Sequence, residues 1–177
     1  SGVDEPPLID DLLAALVASP EIAAVRGRHE PDAAADLVLK TFFLATPLAK
    51  PLVWSWDRLM DPQVNPGWAV ARAWCRDEPR SRPSTAQPPD GGAGEAADPH
   101  YRRAVLQAQT VPFEVAKCVE ASGHVDLSHV TSLLVLSARR LLETDPGSGA
   151  ARVGRATVRR GLDLLGLRTG EPPGGIP

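Results

Sequence analysis

"SHVTSLLVLSARRLLET", Ser128 to Thr144, carries the reading that decides the fold class. Its apolar residues Val130, Leu133, Leu134, Leu136, Leu141 and Leu142 include the helical spacings 130/133/134, 133/136 and 134/141, with no sustained alternation. That is the period of a helix with an apolar side, and all six side chains are expected in the core. Ser128 is the expected cap, since its hydroxyl suits the orphan N–H groups of a first turn. Working outward, the same period recurs. "LIDDLLAALVAS" sets Leu8, Ile9, Leu12, Leu13, Leu16 and Val17 on one stripe with Asp10 and Asp11 opposite, and Ser19-Pro20 stops it. A short helix is expected from Glu21 to Arg28, with Pro20 in its first turn. Another starts at Asp32 and ends at Thr46-Pro47, where proline removes a donor and restricts the residue before it.

Pro51 suits the first turn of a helix from Lys50 to Met60, in which Leu52 and Trp56 share a face. A helix from Pro66 or Gly67 through Ala73 follows. Pro99 opens two helices, or one kinked helix, interrupted at Pro112 and ending near Gly123. A last helix is expected from Ala150 to Leu165. No alternating run is bounded by hairpin chemistry. The expectation is an all-α, compact bundle of about eight helices in one domain over 1–177. Between Pro79 and Asp98, "PRSRPSTAQPPDGGAGEAAD" is nearly free of apolar residues. It reads as a loop, poorly ordered or extended over Arg80–Ala97, and 169–177 reads as a flexible tail.

A hydrophobic fraction of 43% over 177 residues suffices for one core, and 23% charged residues place the chain among globular proteins. The net charge of −3 argues against non-specific nucleic-acid binding. Cys75 and Cys118 are too few for a disulfide framework, and no basic-then-apolar leader pattern is read, so a reduced, cytoplasmic setting is expected. The apolar stretch Phe42–Trp54 is broken by Pro47, Lys50 and Pro51, so no membrane insertion is expected.

His124 and His129 flank Asp126, with Cys118 one helix earlier, and these are residue types that zinc uses. No second ligand pair completes a tetrahedron, so the set reads as a turn capped by Asp or Ser. Cys75, near Arg72 and Arg76, reads as a structural thiol. "PGSGAARVG", Pro146 to Gly154, lacks the third glycine of a dinucleotide fingerprint and follows a helix rather than a strand. No catalytic, cofactor or metal residue is assigned.

Charge is more informative. Residues 1–40 hold eight acids against Arg26, Arg28 and Lys40, whereas 139–168 hold seven arginines against Glu143, Asp145 and Asp163. Such a cluster suits an acidic protein surface through steering and bidentate contacts. The tryptophans concentrate between Trp54 and Trp74. Phe43, Leu44, Val53 and Trp56 are expected to be largely buried, Trp68, Ala71 and Trp74 to crowd an inner face, and Trp54 to stand exposed as an anchor. The candidate interface residues are Trp54, Arg58, Arg139, Arg140, Arg152, Arg155, Arg159 and Arg160.

Three stretches carry a resemblance: "FFLATPLAKPLVWSW" (Phe42 to Trp56), "AVARAWCRDEP" (Ala69 to Pro79) and "RATVRRGLDLLG" (Arg155 to Gly166). Together they resemble a bacterial family of all-helical domains associated with secretion-machinery genes. The resemblance implies a helical accessory subunit and brings no catalytic residues. The chain departs from the pattern in the middle, where the Pro/Gly loop and "SGHVDLS" replace other segments. "AVLQAQTVPFEVAKCVE" (Ala104 to Glu120) is similar to helical folate cyclodeaminases, but their Gly-rich, Ser-containing segment has no counterpart here. The expected function is a non-enzymatic adaptor or accessory subunit. The alternative is a small helical enzyme or ligand-binding domain built on His124, Asp126, His129 and Cys118.

Overall fold

The computed structural model describes residues 8–25, 30–47, 55–76, 98–122 and 126–167, which form eight α-helices and no strand. They are α1 (Ile9–Val17), α2 (Pro20–Val25), α3 (Pro31–Leu44), α4 (Trp56–Met60), α5 (Gly67–Cys75), α6 (Pro99–Ser122), α7 (Leu127–Leu142) and α8 (Gly149–Leu164). The all-α expectation holds. The Pro/Gly loop, the tail, Val53, Trp54 and His124 fall outside the described residues.

Short polar side chains start the helices by accepting N–H groups that the first turn leaves unpaired. Ser19 Oγ accepts from Ile22 N at 3.2 Å, Ser55 Oγ from Arg58 N at 3.3 Å and Ser148 Oγ from Ala151 N at 3.1 Å. At α7 the cap is Asp126 rather than Ser128: its Oδ1 accepts from Ser128 N at 3.1 Å and His129 N at 3.2 Å. A carboxylate takes both donors and the Ser128 hydroxyl besides, so it outcompetes the serine for the position. Gly166, at φ 67°, closes α8, with Leu167 N donating to Leu162 O and Gly166 N to Asp163 O. Pro112 lies inside α6 without ending it.

The expected helix from Lys50 to Met60 does not form through Ser55. That residue is extended (φ −153°, ψ 158°), and α4 begins one residue later. Trp56, expected in the core, is 40% exposed at the start of α4, and Leu52 lies outside the described residues. Leu59 is the side chain that α4 buries. On α3, Phe42 is buried while Phe43 and Leu44 are half-buried.

The helices pack in series. α1 and α2 lie against α3, α3 lies against α5, α5 against α7 and α8, and α6 crosses α7 and α8. Trp68 at the middle of this series is fully buried, together with Leu16, Ile22, Leu37, Val38, Leu59, Val70 and Ala71. Trp74, expected beside it, is half-buried. One polar knot sits in this apolar surround. Leu59 O accepts from Asn65 Nδ2 at 2.9 Å and from Trp68 Nε1 at 3.1 Å, and Asn65 Oδ1 accepts from Gly67 N at 2.8 Å. Asn65 is fully buried yet hydrogen-bonded at both ends, which is how a buried amide avoids its desolvation cost. At the other interface, Arg76 donates to the carbonyls of Leu141 and Thr144, which ties the end of α5 to the end of α7.

Candidate functional site

α6 is the longest helix, at 24 residues, and none of its described side chains is buried. A helix this polar needs something other than an apolar stripe to hold it. Gln107 supplies it. Its Nε2 donates to Ser137 Oγ on α7 at 2.7 Å, and its Oε1 accepts from Arg140 Nη1 at 2.6 Å. Ser137 Oγ donates in turn to Leu133 O at 2.8 Å. Both ends of one amide are thus engaged by residues one turn apart on α7, which fixes where α6 lies.

Held at that point by polar groups, α6 leaves apolar side chains of both helices uncovered. A groove of ≈ 520 Å³ runs between them, with Leu106 and Val111 from α6 and Leu133 and Leu136 from α7. Leu106 is 63% exposed and Leu136 43%. Arg102, Arg103 and Arg140 line the same groove, with Glu114 the acid among its lining residues. Phe113, 71% exposed, follows Leu106 by two helical turns on the same side of α6. A smaller cavity of ≈ 90 Å³ shares Arg103, Gln107 and Arg140 and is walled by Ala150, Gly154 and Thr157 of α8.

Of the sequence-predicted interface residues, Arg140 is the one that lines the groove. Arg139, Arg152, Arg159 and Arg160 are exposed on α7 and α8 away from it, and Arg58 is exposed on α4. Arg155 braces the preceding turn, its Nη1 donating to Pro146 O at 3.1 Å. Trp54 lies outside the described residues. Leu136, expected in the core, is a groove residue. Leu133 and Leu142 are half-buried, and Val135 and Ala138 are buried in their place. Sequence reasoning passed over Arg102, Arg103, Leu106 and Phe113. Their signal was present in the two-turn spacing of Leu106 and Phe113 on an otherwise polar helix.

Of the His/Cys set, His124 lies outside the described residues, and the described members Cys118, Asp126 and His129 have other surroundings. Asp126 is occupied by the α7 cap, and His129 is exposed. The Cys118 thiol lies 3.0 Å from the Glu114 carbonyl. Burial, and then the charges of Asp126 and Glu114, push that thiol's pKa up, the opposite of what a nucleophile needs. Among the described residues no group of three or more His, Cys, Asp or Glu side chains is placed to hold a metal ion.

Asp126 has a pH signature of its own. The Ser128 hydroxyl and then the His129 N–H hold its carboxyl below the ordinary aspartate value. A carboxyl depressed in the folded state adds stability above its unfolded pKa and loses it as pH falls through the folded pKa. Asp126→Asn keeps a capping oxygen that does not titrate. Thermal melts should show the wild type ahead of Asp126→Asn at neutral pH. The gap should close on acidification below the ordinary aspartate range, and a pH-independent gap would contradict the cap assignment.

No helix among the described residues is long and apolar enough to cross a membrane. Comparison with protein-family models, with curated proteins and with solved structures found no match.

Proposed function

We propose that the chain is a non-enzymatic helical adaptor that docks an acidic, amphipathic helix of a partner protein in the α6–α7 groove. One observation carries this reading: an open apolar groove with exposed Leu106 and Leu136 is flanked by Arg102, Arg103 and Arg140. Exposed apolar surface rimmed by charge is the usual mark of an interaction site. A cleft between two helices accepts a third helix by burying its apolar stripe. Guanidinium groups at the rim select carboxylates through paired hydrogen bonds. The small-enzyme alternative is weakened because Asp126 caps a helix and burial, with the Asp126 and Glu114 charges, pushes the Cys118 pKa up, away from a reactive thiolate. Cytoplasmic placement and a role in a bacterial secretion apparatus rest on composition and on the sequence resemblance alone.

A designed, fluorescently labelled helix with leucines at helical spacing and glutamates on its flanks tests the proposal. It should bind the full chain, and Leu136→Glu should weaken binding at least about tenfold, as loss of a central anchor does. The same helix with lysines in place of glutamates should bind more weakly. Equal binding by both helices, or no effect of Leu136→Glu, would overturn the reading.

A further inference from the structure

We propose that the α6–α7 groove receives the α1 end of a second copy of this chain, so that the molecules associate head to tail. The inference rests on the docking reading and names one occupant for the groove.

The complementary surface is on the same molecule. Leu8 is 71% exposed and Ile9 63%, and the next two residues are the exposed acids Asp10 and Asp11. This ridge is ordered by its own cap: Leu8 N donates to Asp11 Oδ2 at 3.1 Å, which sets the two apolar side chains at the start of a formed helix. The ridge is apolar and acidic. The groove is apolar and basic, with Leu106 and Leu136 beside Arg102, Arg103 and Arg140.

Their placement makes the pairing intermolecular. α1 packs on α2 and α3, whereas α6 packs on α7 and α8, so the two surfaces occupy opposite ends of the packing series. The complementary charges are local to the two surfaces, Asp10 and Asp11 on the ridge and Arg102, Arg103 and Arg140 at the groove. A two-fold pairing of like ends is disfavoured: ridge on ridge sets Asp10 and Asp11 against their own copies, and groove on groove sets arginines together. The remaining contact is one ridge in one groove. Reciprocated between two copies it would close a dimer, whereas the head-to-tail mode leaves a ridge and a groove open at the two ends of every assembly, so mass growing beyond a dimer with concentration marks it.

Sedimentation velocity on the full chain tests this across a concentration series at low and high salt. The weight-average mass should rise above the 18.8 kDa of one chain as concentration increases, and fall back towards it at high salt. Ile9→Glu breaks the ridge and Leu136→Glu breaks the groove, both at exposed positions where charge does not disturb the core. Each variant alone should be monomeric at every concentration. Mixed in equal amounts they should form a heterodimer and nothing larger, because together they retain one intact groove and one intact ridge. If either variant fails to fold, Asp10→Arg and Arg103→Glu replace them, each weakening association singly and the double variant restoring it. A wild type that stays monomeric, an Ile9→Glu variant that still associates, or a mixture that does not pair would overturn the proposal. The docking reading fails separately: if the wild type is monomeric yet the glutamate-flanked helix binds and Leu136→Glu abolishes that binding, the groove is a docking site for another protein and not for α1.

Discussion

Trp68→Ala lowers the stability of the fold by about 3–5 kcal/mol, a large part of the roughly 5–15 kcal/mol that a domain possesses. The ring is fully buried near the start of α5, within the cluster that includes Val38, Leu59 and Val70. Truncation leaves a cavity that helices on several sides would have to collapse to fill, and interior packing relaxes only in part. The polar loss is smaller. Leu59 O loses the indole donor but keeps Asn65 Nδ2 at 2.9 Å, so no acceptor is left orphaned. Trp68→Phe, which refills part of the volume without the N–H, should therefore cost clearly less than Trp68→Ala. Trp56→Ala, at a ring 40% exposed at the start of α4, should also cost clearly less. Urea midpoints of the three variants decide it. Equal losses at Trp56 and Trp68 would mean that the core is not centred on α5.

Gly67→Ala is the second large effect, about 3 kcal/mol, at the upper end for overpacking. A Cβ at this position would lie 2.4 Å from Val38 O and 2.8 Å from Val38 Cα. Both are backbone atoms of α3, which cannot rotate aside as a side chain can, so α5 must move off α3. That movement also pulls Gly67 N from Asn65 Oδ1 and loosens the knot around Leu59. The usual gain from replacing a helical glycine, about 0.5–1 kcal/mol, is too small to compensate. Gly161→Ala is the informative contrast. Its Cβ would come within 2.9 Å of Leu134 Cδ1, the end of a flexible side chain, and the cost should be about 1 kcal/mol or less. Gly147→Ala, with nothing within 4 Å, should be near neutral. If Gly67→Ala melted like Gly147→Ala, the close approach of α3 and α5 would be wrong.

Helix identity was legible in the sequence because its causes are local. The three-and-four spacing in Ser128–Thr144 and in Leu8–Ser19, the stop at Thr46-Pro47 and the start near Gly67 all act within a turn or two. The eight helices and the absence of strands among the described residues follow from such signals. The same locality explains a failure at short range. Ser55 is extended and caps α4, so a period extrapolated from Lys50 misplaced Trp56, which is exposed in the first turn of α4.

What covers a face is not a local property. The spacing in α7 marks apolar residues on more than one side, and only the tertiary structure shows which neighbour each side meets. Leu134 and Leu141 turn into the core, where α5 and α8 pack, while Leu136 is left beside a helix held by Gln107 rather than by apolar side chains. Among the tryptophans the sequence determined that large rings were needed between α3 and α5, but not which one. The choice of Trp68 came from Gly67, whose missing side chain lets α5 approach the backbone of α3. Arg102 and Arg103 became groove residues in the same way, through α6 crossing α7. Period and capping chemistry act along the chain and can be read from it. Coverage depends on where distant helices come to rest, and here one buried asparagine, one glycine and one amide clamp decided it.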